Sequence, residues 1–331
     1  MAKYGGTSAI FLVDGYNFLA PKLKSLNLKI TQLTEQTDGL GDANQAFSPT
    51  GKQQGAITQG GAFWDTAANS IHDAMASKMG VTPQDTPRVM TVGCMGNTVG
   101  AVIYGIQGAF SVAYEAAVAL GTLTKANAEH LLAGLIDRGQ IVQPLAAQTA
   151  DWNTHSLGTF VDFTLDPSQF VIPITSATAA SPCVVTTTVP HGLTTGQKVL
   201  ISGNTYAVPN INADLAVTVI SATTFSVAVD TTLSTGAGTG GSFVRSSTVN
   251  GGAGYQEVTA FSGFTGYVGK IRHSADESTY ADLAVFVNVT SAPNGQYIAV
   301  AAGTTVNRYT CHDGDVTGTG SISVLSAFCR R

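Results

Sequence analysis

The sequence predicts a mainly β fold with a flanking helix and a small all-β insertion. Three observations carry this. Charged residues make up only 11% of the 331-residue chain, against roughly 25% in an ordinary soluble domain, and Gly, Thr, Ser and Val fill the deficit. Short runs of alternating or continuous apolar character are separated by Gly, Asp-Gly, Asn and Pro turn signals, as strands are. Helical spacing is clear in one segment alone, 65–79.

The elements follow in chain order. Residues 8–13 form an apolar run that stops at the turn dipeptide Asp14-Gly15. Leu26, Leu28 and Ile30 alternate with Asn27, Lys29 and Thr31, the pattern of a half-buried strand. From Thr34 to about Gln54 the chain is polar, turn-rich and without periodicity, which predicts a long structureless loop. A strand is expected over 55–64. A helix follows, with Asp65 or Thr66 as N-cap, Ala67, Ala68, Ile71, Ala74, Met75 and Met79 on its apolar stripe, and its end at Gly80.

Strands are expected at 87–93, 99–106 and 108–118. Residues 123–135 fit a second helix through Ala126, Ala128, Leu131, Leu132 and Leu135, although the flanking runs are strand-like. Strands at 139–146 and 158–165 close the first part. Residues 175–250 are almost free of charge, with short strands at 184–189, 198–202, 216–221 and 224–229 and a linker at 236–241. Strands resume at 255–262, 265–273, 283–289, 296–302, 304–310 and 320–328. The expected organisation is therefore a first domain over 1–150, a second β-sandwich from 151–182 plus 248–331, and an inserted β-domain at 183–247. The segment from Phe261 to Phe286 loosely echoes the order of 55–79, which would make the second domain tube-like as well.

Charge excludes some functions. The net charge is −5, split as −1 over 1–150 and −4 over 151–331, and the inserted segment is neutral. Without a basic stripe the chain is not a nucleic-acid reader. Its hydrophobic content of 44% argues against disorder. No run of about 20 apolar residues predicts a membrane span, and the first residues lack the apolar core of a secretion signal. Cys94, Cys183, Cys311 and Cys329 show no pairing or metal-binding spacing and are expected to be free thiols.

Candidate chemistry is sparse. Gly39-Leu40-Gly41-Asp42 and Gly238–Gly241 lack the Gly-Lys-Ser/Thr of a phosphate loop. His312-Asp313-Gly314-Asp315 beside Cys311 reads as a polar turn, because Asp-Gly is a common turn dipeptide. His273-Ser274-Ala275-Asp276 brings Ser, His and Asp together, but triads are built from distant segments, so it too reads as a turn. Trp64 and Trp152 are expected in the core. No enzyme, cofactor or metal is predicted.

Several motifs are similar to those of the major tail tube proteins of long-tailed bacteriophages. They are Phe11–Asn17, Thr37–Asp42, the strand ending in Trp64-Asp65, Gly96–Gly100, Ala128-Glu129, Asp137-Arg138-Gly139, Lys270–Asp276, Tyr280–Leu283, Val306–Tyr309 and Arg330-Arg331. Residues 184–229, with His191–Gly196 and Ile220–Phe225, resemble a small β-module found in phage tail proteins. The resemblance implies β-sandwich or tube-barrel domains with a flanking helix. It implies rings that stack into a tube, with the loop carrying Asp38, Gly39, Gly41, Asp42, Asn44 and Pro49 reaching the next ring, and the inserted module on the outside. Implied partners are further copies of the chain and the tape measure, tail terminator and distal tail proteins. DNA is non-specific passing cargo and no membrane is involved. The implied location is the virion tail, after synthesis in the host cytoplasm. Competing expectations are a capsid decoration protein and a carbohydrate-binding adhesion module.

Overall fold

The computed structural model describes residues 9–17, 23–36, 47–64, 70–76, 88–132, 134–166, 169–205 and 207–331. It is almost entirely β. In chain order the first part comprises β1 (Ile10–Val13), β2 (Tyr16–Asn17), β3 (Ser25–Gln36), β4 (Phe47–Phe63), α1 (Ile71–Ala76), β5 (Arg88–Gly93), β6 (Val102–Ala117), β7 (Lys125–Leu132) and β8 (Ile136–Gln148). Two short strands, β9 (Trp152–Asn153) and β10 (Val161–Asp162), and a 3-10 turn at Phe163–Leu165 lead onward. Next come β11 (Ile172–Ala177), β12 (Cys183–Thr187), β13 (Lys198–Ser202), β14 (Asp214–Val219), β15 (Thr224–Val227), β16 (Gly238–Thr239) and β17 (Ser242–Arg245). The chain ends with β18 (Gly252–Ser274), β19 (Ala281–Val285), β20 (Asn294–Val300) and β21 (Tyr309–Arg330).

The larger sheet runs β19-β18-β21-β8-β6-β5-β1-β2, with β3, β4 and β7 joined through β6. It crosses position 150 without a break, because β8 pairs with β21 over Ile322↔Gln148 to Phe328↔Gln140. Alternation places side chains on two cores. Phe11, Val13, Met90, Val92 and Ile106 face α1, whose Ile71, Ala74 and Met75 complete that cluster. Ile10, Leu12, Val89 and Ile103 face Tyr255, Leu325, Ala327 and Cys329. Strands buried on both faces read as the continuous apolar runs seen at 10–13 and 88–93.

The smaller sheet closes on itself. β11 pairs β12, β12 pairs β15, β15 pairs β14, β14 pairs β13, β13 pairs β17, and β17 returns to β11. The result is a six-stranded barrel, an architecture without exposed edges. Its core holds Ile174, Val185, Val199, Ile201, Phe225 and Phe243, with the two phenylalanine rings T-shaped at 5.3 Å.

Several expectations change. The second-helix reading of 123–135 gives way to β7, where Ala126, Ala128, His130 and Leu132 are buried and Leu131 points outward; period 2 prevails because β4 and β6 flank it on both sides. The loop expected from Thr34 to Gln54 is partly a ribbon, with Gln36 opposite Phe47 and Thr31 opposite Gln54. The linker at 236–241 contains β16, which pairs with β11. The barrel begins at Ile172, eleven residues before 183, since Ile174 and Ala177 belong to its core. Runs 255–262 and 265–273 merge into β18, and Tyr309–Arg330 is one strand; β-bulges beside Gly263 and Gly318 absorb the breaks. Tyr280–Phe286 carries the strand β19 instead of echoing a helix.

Candidate assembly surface

The surface builds from four strands, in the order β3-β4-β7-β6. Register aligns Leu28, Ile57, His130 and Ser111 on one face. Ile57, His130 and Ser111 are buried there beneath α1, and Leu28 packs against the same cluster. Asn27, Thr58, Glu129 and Ala113 lie on the opposite, polar face. The sheet thus has one face on the core and one in solvent, as antiparallel sheets commonly do.

Its edges set it apart from the barrel. Over Ser25–Thr31, β3 pairs with β4 and with no other described strand. At the far side, Val112–Ala117 of β6 pairs with β7 alone among the described strands, because β5 reaches only to Ala109. The β3–β4 ribbon also outruns its support. β7 flanks β4 from Gly55 onward, so the outer part is two-stranded, and a two-stranded ribbon in water is marginally stable. Ile30 is 42% exposed and Leu33 37%. The β6–β7 connection presents Val118 at 78%, Leu120 at 105% and Leu123 at 69% exposure. Apolar side chains held this far into solvent at one tip mark a contact surface.

Of the residues expected in the inter-ring loop, Asp38, Gly39, Gly41, Asp42 and Asn44 lie outside the described residues. Pro49 is on β4 opposite Thr34. At that point β4 is itself an edge, where a strand tolerates the missing N–H. Asp65 and Thr66 also lie outside the described residues.

Beside the sheet, Trp64 departs from its expected core position. It is 36% exposed, donates from Nε1 to His72 Nδ1 at 3.2 Å, and that nitrogen lies 3.0 Å from the Tyr114 hydroxyl. Trp152 is buried as expected, stacked on Tyr267 at 5.5 Å.

The sequence-flagged chemistry becomes structural. His312-Asp313-Gly314-Asp315 is part of β21, not a turn. Asp313 pairs with Arg272 at 3.2 Å and Asp315 with Lys270 at 2.6 Å across the ladder to β18. Gly314 stands where a side chain would collide with the Trp152 ring. His312 is fully buried, its Nε2 3.0 Å from the Tyr267 hydroxyl, and burial pushes its pKa down to about 3. His273, Ser274 and Asp276 do not converge. His273 Nδ1 accepts from Asn307 N at 3.1 Å, whereas Asp276 accepts from Ser274 Oγ, Ser278 N and Thr279 N in a local turn. Those backbone donors hold the Asp276 carboxyl below the usual range. Among the described residues no three His, Cys, Asp or Glu side chains group as metal ligands. All four cysteines are free, and only Cys94 is exposed.

Three polar clusters tie distant segments of the chain together. The Asp14-Gly15 turn, with Gly15 at φ +84°, seats against Val258 and Asn294 so closely that a side chain at Gly15 would strike their backbones. Gly15 N donates to the buried Glu257 carboxyl. Burial, reinforced by nearby Asp14, raises Glu257 well above the ordinary carboxylate range. Separately, Asp137 accepts from Tyr255 Oη at 2.8 Å and from Arg331 Nε and Nη2 at 3.0 and 2.8 Å. Arg308 grips Asp162 likewise, at 2.9 and 2.7 Å. These pairs join motifs that are 146 and 194 residues apart in sequence. Glu257 carried no local sequence signal, since nothing beside it differs from any strand residue.

No protein-family model matches the chain, and no curated protein does. Among solved structures, a component of the virion of a native gene transfer agent particle is similar over 41% of this chain and 98% of its own length, at 11% identity and a TM-score of 0.31. The Dit protein of phage SPP1, a hub of the adsorption apparatus in phages infecting Gram-positive bacteria, is similar over 97% of this chain and 99% of its own, at 7% identity and a TM-score of 0.27.

Proposed function

We propose that the chain is a structural protein of a long-tailed phage virion that joins edge to edge into rings, which stack into a tail tube for DNA passage. The observation that carries this reading is the β3-β4-β7-β6 sheet. It is backed by α1 and has an edge at β3 and another at Val112–Ala117 that no described strand covers. Uncovered edges are ordinarily protected in a monomer. Two of them on opposite sides of one sheet give a heterologous contact, which closes into a ring when the rotation permits. The projecting β3–β4 ribbon supplies a contact for the next ring, and net acidity keeps passing phosphates from adhering. The motif resemblance to tail tube proteins points the same way. An adhesin would need aromatic platforms on the barrel. Among the described residues of 183–247 the aromatic rings of Phe225 and Phe243 are in its core, and Tyr206 lies outside the described residues.

Negative-stain electron microscopy of the purified chain tests the proposal. Rings or tubes are expected, and monodisperse monomers at high concentration would overturn it. An Ala-to-Pro change at Ala116, on the β6 edge, is expected to abolish rings while leaving the circular dichroism spectrum of a β protein.

A further inference from the structure

Between the barrel and the larger sheet lies a cavity of about 650 Å³, within the range of small-molecule sites. Four arginines line it, Arg138, Arg245, Arg330 and Arg331, together with the apolar Phe163 and Phe170. The whole chain has 16 Lys+Arg in a net charge of −5, so this concentration of cation is local and needs an explanation.

Two of the four are already matched. Arg331 is held bidentately by Asp137, and Arg138 lies 3.3 Å from Asp166. The other two have no carboxylate partner among the described residues. Arg245 Nη2 donates to the carbonyls of His191 and Gly192, at 3.2 and 2.8 Å. The Arg330 guanidinium carbon lies over the Phe163 ring, 4.0 Å from its centroid. Its Nη2 donates to the Arg308 carbonyl at 2.8 Å, and its Nη1 is shut off from solvent without a hydrogen-bond partner among the described residues. Asp162 is engaged by Arg308 and does not serve it. Burial lowers the Arg330 pKa, with Asp162 and Asp166 only partly offsetting it. With Arg331 and Arg138 matched, Arg245 and Arg330 leave the lining with an excess of positive charge, and planar guanidinium groups favour oxyanions.

We propose that this cavity binds a small organic oxyanion, a carboxylate or phosphate carried on an apolar or aromatic body, with the anionic group on Arg330 and Arg245 and the body against Phe163 and Phe170. The lining comes from both the barrel and the larger sheet, so an occupied site bridges them.

Calorimetric titration of the full chain with benzoate, phenyl phosphate and benzyl alcohol tests this. Saturable binding of benzoate or phenyl phosphate is expected, with at least tenfold weaker binding of benzyl alcohol; the stronger of the two anions identifies carboxylate or phosphate. Arg330→Met is expected to weaken the anion at least tenfold. Val189→Trp, at the exposed rim of the cavity, fills the space while leaving every arginine in the sequence and keeps the test valid if the first variant misfolds. Anion binding that both folded variants retain, equal binding of the alcohol, or no binding of either anion would each overturn the proposal.

Discussion

Buried imidazoles and a buried carboxyl make stability depend on pH in two opposite senses. Burial holds His130 and His312 near a pKa of about 3, whereas each titrates near 6.5 once unfolded. Their contribution is fully present above about 6.5 and is lost as pH falls toward 3, by up to about 1.4 kcal/mol per pH unit for each ring. Urea unfolding at pH 7, 5 and 4 is expected to show a steadily falling midpoint. Glu257 behaves oppositely, because its folded pKa is raised. Its contribution is present below about 4.5 and is lost as pH rises toward the folded value. Glu257→Gln should therefore gain on the parent chain between pH 5 and 8 in the same unfolding assay. A constant difference across that range would show that Glu257 is not held neutral. Asp137 matters through its partners, because Tyr255 and Arg331 both donate to it. Asp137→Asn leaves a partly buried guanidinium poorly matched and is expected to cost about 3 kcal/mol at pH 7.

Strand lengths and edges decide what each element can do. The inner part of β3, with Leu26 and Leu28, packs on the core below α1, but beyond Thr31 the ribbon has only its own two strands. Replacing 32–53 with a short turn should leave a folded monomer with an unchanged unfolding midpoint, since the described part of the ribbon beyond Thr31 pairs only with itself, and should abolish tube growth. Normal tubes from this variant would remove the ribbon from the stacking contact. The barrel gives a sharper contrast. Excising Ile172–Arg245 with a Gly-Ser bridge removes a closed unit and is expected to leave a folded chain. Excising 183–247 strands β11, with Ile174 and Ala177 stripped of their core, and is expected to aggregate. Size-exclusion chromatography of the two variants separates these outcomes.

Across the whole molecule, the ring reading assigns one open-edged sheet to each chain. The second segment contributes β18 and β21, which β20, β19 and β8 flank over Gly252–Val258, Lys270–His273 and Ile322–Phe328; Phe261–Gly266 of β18 pairs with β21 alone among the described strands, and β19 stands where a repeated helix was anticipated, so this segment has no second helix-backed four-strand sheet among the described residues. Ring symmetry should therefore equal the number of chains, and an image reconstruction should show one β3-β4-β7-β6 sheet per chain. Two such sheets per chain would overturn that count. The barrel's closure, with no edge to offer, suits a place outside the ring wall.

Composition and periodicity were enough to establish a mainly β chain, because low charge, abundant Thr and Val, and frequent turns are properties of each segment alone. They also located α1, whose apolar stripe at Ile71, Ala74 and Met75 is a local pattern, and most of the barrel strands, which are short and bounded by turns. Tertiary structure alone decided the rest. Alanine and leucine at 125–132 satisfy both periods, and the flanking strands β4 and β6 chose the extended one. Asp313 and Asp315 look like turn residues until Arg272 and Lys270 arrive across the ladder from about forty residues away. The open edges, the barrel's start at Ile172 and the unmatched Arg330 depend on which strands meet, and pairing between segments more than a hundred residues apart leaves no mark on either segment by itself.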